Sequence, residues 1–373
     1  MSKPIGLYVH IPFCNGKCPY CDFYSQCDTS LADAYTDAVI AEMADAKRDD
    51  ITADTLYLGG GTPPLLGTEN LLRVLSAARE YFSFSGEATL EANPCSVTPE
   101  MLSALREAGY NRISFGMQSA VPEELAILGR KHTPEQVRYA VESARQAGFS
   151  NLSLDLMLGI PRQTQESLRY SLDTVIGLPV QHISAYMLKI EENTDFYRKR
   201  RWEECPDEEQ TCEMYLYTVE YLRQAGFLQY EISNFAKPGM ACRHNLKYWR
   251  CEEYLGFGPA AHGYFGSLRY GHSRDLKRYL ADASQTVSVT DDTPGSFAEY
   301  AMLRLRLNDG VCLPEAESRY GEAARRMAEK AKRYESTGLL TVSPERIALT
   351  PQGFLVSNEL IGQIVLRAAV TDL

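Results

Sequence analysis

Tyr8-Val9-His10-Ile11-Pro12-Phe13-Cys14-Asn15-Gly16-Lys17-Cys18-Pro19-Tyr20-Cys21 sets a strand-like run directly before three closely spaced cysteines. The C-x3-C-x2-C spacing suits an iron–sulfur cluster held by three thiolates rather than four, so that one iron lacks a protein ligand. A cluster that only passes electrons usually closes its coordination with a fourth thiolate; an open iron points to something exchangeable. Zinc and unrelated buried thiols are the alternatives. Zinc commonly asks for a second C-x2-C or H-x3-5-H pair, and none follows at suitable spacing.

Outward from this loop, residues from Gly6 to about Ile190 alternate short β-type runs with amphipathic helical stretches, the pattern of βα units around a parallel sheet. The strand cores read as Leu7 to His10, Thr55 to Leu58, Ala88 to Glu91, Arg112 to Phe115, Leu152 to Met157 and Ile183 to Leu188. A helix is expected over Leu31 to Lys47 with Ser30 as its N-cap, and another from about Gln165 capped by Thr164. Six units are fewer than the eight of a closed barrel. The fold class is therefore α/β, an open, partial (β/α)6 TIM-type barrel with its functional groups at strand C-termini.

After about Phe265 the pattern changes. Ser267 to Leu280 and the polar Ser284 to Asp292 read as a connector. Phe297 to Leu307, Glu315 to Gly338, the run Leu339 to Val342, and Ile347 to Gly353 then give helix, helix, two short strands and a last helix. This is a winged-helix-like α+β order, and the expected division is 1–265, 266–292 and 293–373.

The 373 residues include 38 Lys and Arg against 49 Asp and Glu, a formal charge of −11 that disfavours nucleic acid as a partner. The short run Arg198-Lys199-Arg200-Arg201 reads as a solvated helix face. No stretch of 18 apolar residues and no signal-peptide pattern occurs, and ten cysteines without an export signal read as thiols and metal ligands, which places the protein in the cytoplasm. Cys205, Cys212, Cys242 and Cys251 are too irregularly spaced to suggest a second cluster.

Polar groups recur at the predicted strand ends: Gly59-Gly60-Gly61-Thr62-Pro63 after the second strand, then Glu91, Gln118, Arg130 and Asp155. A glycine-rich βα turn is often only a turn, and a single carboxylate there often only caps a helix. One such group per βα unit is harder to dismiss. Arg130 suits a bidentate contact with a carboxylate, and the acidic and amide groups suit sugar hydroxyls.

The cysteine loop, the glycine turn and these strand-end groups together resemble the radical S-adenosylmethionine proteins. The resemblance implies a [4Fe–4S] cluster on Cys14, Cys18 and Cys21, with S-adenosylmethionine chelating the open iron and receiving contacts from Tyr8, Tyr20, Gly60, Gly61, Thr62, Glu91, Gln118, Arg130 and Asp155. Over nearly the whole chain the sequence is similar to the group around oxygen-independent coproporphyrinogen III dehydrogenase. It departs from that enzyme at Phe23, where the enzyme has a further cysteine, and in having only 13 residues before Cys14, so porphyrinogen dehydrogenation is not expected. Cys242-Arg243-His244-Asn245-Leu246-Lys247-Tyr248-Trp249 carries the H-N-x-x-Y-W motif of HemW, the haem chaperone branch.

That branch implies haem as cargo, with His244 as the iron ligand, Tyr248 and Trp249 as aromatic cover and Arg243, Lys247 and Arg250 facing the propionates. From the residues alone, His244 capping a turn with Tyr248 and Trp249 in the core stays open. The pattern Tyr254 to His262 also resembles the branch, with Ala260 and Arg162 standing where glycine is usual. The implied partners are an acceptor haemoprotein such as a respiratory haem protein, an electron donor, peripheral contact with membrane proteins, and a second copy of the chain. A porphyrinogen-acting enzyme, or a methylase or cyclopropanase on the same scaffold, is the competing reading.

Overall fold

The computed structural model describes residues 4–291 and 294–365. Six parallel strands, β1 (Ile5–Ile11), β2 (Ala53–Gly60), β3 (Glu87–Ala92), β4 (Arg112–Gln118), β5 (Asn151–Leu158) and β6 (His182–Met187), lie side by side in sequence order. Helices α1 (Ala32–Asp45), α2 (Thr68–Phe82), α3 (Pro99–Ala108), the pair α4 (Pro122–Ile127) and α5 (Pro134–Gln146), and α6 (Gln165–Ile176) make the crossovers. The open α/β partial barrel is the expected architecture. Beyond β6 come α7 (Asp195–Arg198), α8 (Glu208–Gln224) and the antiparallel pair β7 (Leu228–Glu231) and β8 (Asn234–Ala236), which pairs β6. Helix α9 (Arg243–Trp249) leads into β9 (Tyr254–Phe257), which runs parallel to β1 as a seventh strand that the six-unit reading did not include.

The stretch 266–292 is more than a connector. After β10 (His262–Phe265) it supplies β11 (Leu268–His272), α10 (Leu276–Ala281) and β12 (Val287–Asp291), which extend the main sheet antiparallel. The result is a twelve-stranded sheet in the order β12-β11-β10-β9-β1-β2-β3-β4-β5-β6-β8-β7, parallel in the middle and antiparallel at both margins.

Side-chain alternation decides what the parallel strands enclose. Leu7, Val9 and Ile11 of β1, Leu56 and Leu58 of β2, Ile113 and Phe115 of β4 and Leu152, Leu154 and Leu156 of β5 are all buried in the core shared with the helices. The residues between them are largely polar: Tyr8 and His10, Thr55 and Tyr57, Glu87, Thr89 and Glu91, Arg112, Ser114 and Gln118, Ser153 and Asp155, His182, Ser184 and Tyr186. Successive side chains of a strand point to opposite faces, so the barrel has an apolar outside and a polar inside. The inner groups bond one another across strands, as in Tyr57 to Glu91 at 2.7 Å, Ser114 to Asp155 at 3.0 Å and Ser153 to His182 at 2.7 Å.

Threonine caps fix the crossover helices. Thr98, Thr133 and Thr164 each accept the third backbone N–H of α3, α5 and α6, and Gln136 and Ser167 complete capping boxes. Thr164 is the expected cap; Ser30 is not one. Helix α1 starts at Ala32 without a side-chain cap, and the Ser30 backbone N–H turns instead to Asp28 Oδ1 at 2.9 Å.

The C-terminal part holds α11 (Phe297–Arg304), β13 (Val311–Cys312), α12 (Leu313–Tyr320), α13 (Glu322–Lys332), β14 (Leu340–Val342), β15 (Arg346–Leu349), α14 (Pro351–Leu355) and α15 (Ser357–Ile364), with β13-β15-β14 as a separate antiparallel sheet. The single helix expected over Glu315 to Gly338 is two, broken at Gly321, whose φ of 56° and ψ of −121° no helix accommodates. Among the described residues no helix is long and apolar enough to cross a membrane.

Candidate functional site

At the C-terminal end of the parallel strands a cavity of about 320 Å³ opens, lined by Cys14, Cys18, Cys21, Tyr20, Gly60, Gly61, Thr62, Glu91, Gln118, Arg130 and Asp155 among others. The topology gathers these from five separate βα turns. A narrower cavity of about 170 Å³ adjoins it on the other side of Cys14, Cys18 and Arg130. The cysteine loop packs on the glycine turn: Gly61 N–H donates to Ile11 O at 2.8 Å and Thr62 N–H to Phe13 O at 2.7 Å. A Cβ at Gly61 would stand 2.3 Å from Phe13 O, so glycine is required for this approach. Gly60 N–H donates to Glu91 Oε2 at 3.2 Å. With all three N–H groups engaged, the turn offers an incoming group acceptors, which suits an ammonium.

The three thiols are partly exposed on the cavity wall. Cys14 Sγ lies 3.2 Å from Gly16 O and 3.4 Å from Thr62 Oγ1, and Arg130 Nη1 lies 3.8 Å from Cys18 Sγ. Among the described residues no group of His, Cys, Asp or Glu closes on a single-ion site. A cubane takes one thiolate at each of three irons and does not demand that closure, so thiols spaced around a wall fit it. Arg130 is held by the Asn93 side chain and by Gly116 O at 2.8 Å, which leaves its guanidinium between the cysteine loop and the cavity.

Glu91 also accepts from the Tyr57 hydroxyl, and burial, with Asp155 nearby, pushes its carboxyl up to about 7. Burial likewise raises Asp155, against hydrogen bonds from Ser184 and Ser114 and the charges of Arg112 and Arg130. Gln118 sits at φ 68° where the β4 register shifts against β5, a bulge that turns its amide into the cavity.

Tyr8 is the exception among the residues expected here. It is absent from the cavity wall and faces the barrel interior, its hydroxyl 3.0 Å from His10 Nδ1 and its ring against Tyr57 and His244. The sequence reading passed over Asn93 and Tyr186, both on the wall. Asn93 stands beside Glu91 in the same strand-end turn, and Tyr186 continues the polar alternation of β6, so both carried a signal.

The H-N-x-x-Y-W segment lies at the opposite end. Helix α9 closes the N-terminal end of the strands as a floor. Its first N–H groups converge on Glu87 Oε1, from Arg243 at 3.0 Å and His244 at 3.3 Å. His244 is fully buried, with Nδ1 2.8 Å from Thr55 Oγ1 and Nε2 2.7 Å from the Tyr248 hydroxyl. Burial, then Lys247 and Arg112, lower its pKa to about 3. The expectation of His244 as a haem ligand is corrected on this geometry: both ring nitrogens are taken and no face reaches solvent.

Tyr248 and Trp249 are partly buried and offer no open aromatic wall. Lys247 is buried against Pro4 O at 2.8 Å and Asp54 at 2.9 Å and is not free for a propionate; Arg243 pairs Asp54 at the floor, away from the cavity of the cysteine loop, and Arg250 lines a different cavity, beside the C-terminal part. Cys242 donates to Glu87, and burial pushes its thiol up to about 12, while Cys205 donates to Arg201 O.

The family described as the radical SAM superfamily matches residues 8–175, and the HemN C-terminal domain matches residues 297–356. The heme chaperone HemW of Mycobacterium tuberculosis (strain ATCC 25618 / H37Rv) is 37% identical over 375 residues, covering 96% of this chain and 94% of its own. That of Bacillus subtilis (strain 168) is 37% identical over 372 residues, covering 95% and 97%, and that of Escherichia coli (strain K12) 33% over 381 residues, covering 96% and 97%. The solved coproporphyrinogen III oxidase (HemN) of Escherichia coli, a radical SAM enzyme, superposes with a TM-score of 0.82 at 23% identity over 97% of this chain and 90% of that one, which establishes a common fold. On its sequence kinship along almost its entire length, the chain belongs to the HemW family of the radical SAM superfamily.

Proposed function

We propose that this protein is a haem chaperone that carries a [4Fe–4S] cluster on Cys14, Cys18 and Cys21 with S-adenosylmethionine beside it, and that it passes haem to an acceptor haemoprotein. The observation that carries the cofactor half is the convergence of three thiols and the strand-end groups on one cavity. Gly60 to Thr62 offer carbonyls to the methionine amine, Arg130 its guanidinium to the carboxylate, and Glu91, Gln118 and Asp155 acceptors and an amide to the ribose. Bound there, the pair supplies reductive cleavage of the sulfonium to a 5′-deoxyadenosyl radical. Tyr20 on the cysteine loop covers the same wall.

The haem half rests on kinship with chaperones so named over almost the whole chain. The acceptor is of the respiratory haem-protein kind, reached by peripheral contact with membrane proteins, and the working form is a cytoplasmic homodimer served by a separate electron donor. Anaerobic reconstitution tests the first half: Cys18→Ala should lose the broad visible absorption of the cluster, and a normal cluster in that variant would refute the assignment. Haem titration of the loaded protein tests the second. Stoichiometric binding without decarboxylation of coproporphyrinogen III is the expected result, and turnover of that substrate would return the chain to the dehydrogenases.

A further inference from the structure

All six histidines lie among the described residues, and their surroundings differ sharply. His10 is buried between the Tyr8 hydroxyl and Tyr24 O, each at 3.0 Å. His182 is buried between Ser153 at 2.7 Å and Tyr230 at 2.8 Å, and His244 is locked in the floor. His272 faces Thr286 at 2.8 Å and Glu42 at 2.9 Å. His132 Nε2 donates to Met117 O at 3.0 Å and lines only the cavity of about 170 Å³, well below the ~300–1,000 Å³ of clefts that take drug-sized ligands. His262 alone is exposed, and among the described residues neither of its ring nitrogens has a hydrogen-bond partner.

Its position is as informative as its exposure. β9 runs parallel to β1, so Gly258 to Ala261 turn at the cofactor end of the barrel and His262 opens β10 on that rim. The next neighbours connect it to the cysteine loop. His262 pairs with Gly271 across β10 and β11, and Ala260 N–H donates to Ser273 O at 3.2 Å, which sets Arg274 on the same rim. His10 bonds the Tyr24 carbonyl, Arg274 pairs with Asp22 at 3.4 Å, and Tyr24 OH accepts Leu276 N–H at 2.9 Å. Phe23, between Asp22 and Tyr24, is 65% exposed and lines the 320 Å³ cavity. An open imidazole, a bare phenyl ring and a largely exposed guanidinium thus share one side of the barrel mouth.

An iron porphyrin asks for those three chemistries: a neutral nitrogen for the metal, apolar area for the ring and a cation for the propionates. Resting on the reading of this protein as a haem carrier, we propose that His262 is the ligand to haem iron, with the porphyrin lying across the barrel mouth over Phe23 and a propionate answered by Arg274. The ligand is thereby moved from the floor of the barrel to the rim beside the cluster loop.

The test is anaerobic haem titration of the cluster-loaded full chain, following the Soret band and low-temperature electron paramagnetic resonance. Wild type, His262→Ala and Phe23→Ala are compared, with the cluster absorption as the check on folding. His262→Ala should weaken haem binding at least tenfold or change the axial signature, and added imidazole should restore the wild-type spectrum; Phe23→Ala should weaken binding several-fold with the spectrum kept. Unchanged affinity and spectrum in His262→Ala would overturn the ligand while leaving the haem-carrier reading standing, and so would a thiolate signature lost on replacing one of the two exposed cysteines, Cys27→Ser or Cys95→Ser. Absence of haem binding by the wild type would overturn the carrier reading itself, and the ligand assignment with it.

Discussion

Arg162 and Ala260, read from the sequence as standing where glycine is usual, both have φ of 67°, in the left-handed region that an L side chain enters at a cost of roughly 1–2 kcal/mol. Arg162 recovers part of that through an exposed pair with Glu204 at 2.8 Å, whereas Ala260 has no side chain to compensate. Ala260→Gly should therefore stabilise the protein by about 0.5–1 kcal/mol, the gain being trimmed by the larger unfolded-state freedom of glycine, and urea unfolding should show a higher midpoint. The same change next to His262 should leave haem affinity within about twofold. The cysteines, the glycine turn, Glu91, Gln118, Arg130 and Asp155 were legible as one group because the ends of barrel strands gather polar residues, and they line one cavity. Tyr8 and His244 lie away from that wall, because a motif records that residues belong together and not whether they face a ligand or one another.

At the scale of elements, strands and helices were readable wherever a cap or an alternation marked them. Thr164 announces α6, and Thr164→Ala should cost about 1 kcal/mol by removing the acceptor for the Ser167 N–H, seen as a lower unfolding midpoint; Ser30→Ala should cost almost nothing, because its side chain caps no helix. The break in the long C-terminal helix was written in Gly321, where the amphipathic pattern on either side concealed it. Strand β9 was hidden for a different reason. Its four residues lie between Glu253 and Gly258-Pro259, a short stretch whose role depends on β1 residues 248 positions earlier (Gly6 against Tyr254), and no local window contains that pairing. The floor helix α9 is held by Glu87, Asp54, Thr55 and Pro4, all distant in sequence. Glu87→Gln should destabilise the protein by about 1–3 kcal/mol through the weakened bonds to the α9 N–H groups, with cluster content after reconstitution unchanged.

Over the whole molecule, the hairpin of β7 and β8 ties the barrel to the C-terminal part: Ile232 N–H donates to Arg306 O at 3.0 Å and Asn308 N–H to Tyr230 O at 3.0 Å. Glu231 is buried in that seam, accepts Ser233 N–H at 3.0 Å and has its carboxyl pushed up to about 7 by burial. A raised carboxyl makes the folded state the better proton binder, so between pH 4.5 and about 7 the stability it contributes falls as pH rises; below 4.5 both states are protonated and no penalty remains. Glu231→Gln should flatten that slope, adding on the order of 2–3 kcal/mol at pH 8 and almost nothing at pH 4.5, as read from urea midpoints at the two values. Long-range closure has a further consequence, for synthesis. Lys247 reaches back to Pro4 and Glu253 to Gly6, so β1 is synthesised long before β9 covers its outer edge. Until then the nascent barrel carries an unpaired apolar strand and an open base, the kind of edge that recruits other chains. A chain stopped before α9 should accumulate in the insoluble fraction even though every cluster ligand has been made.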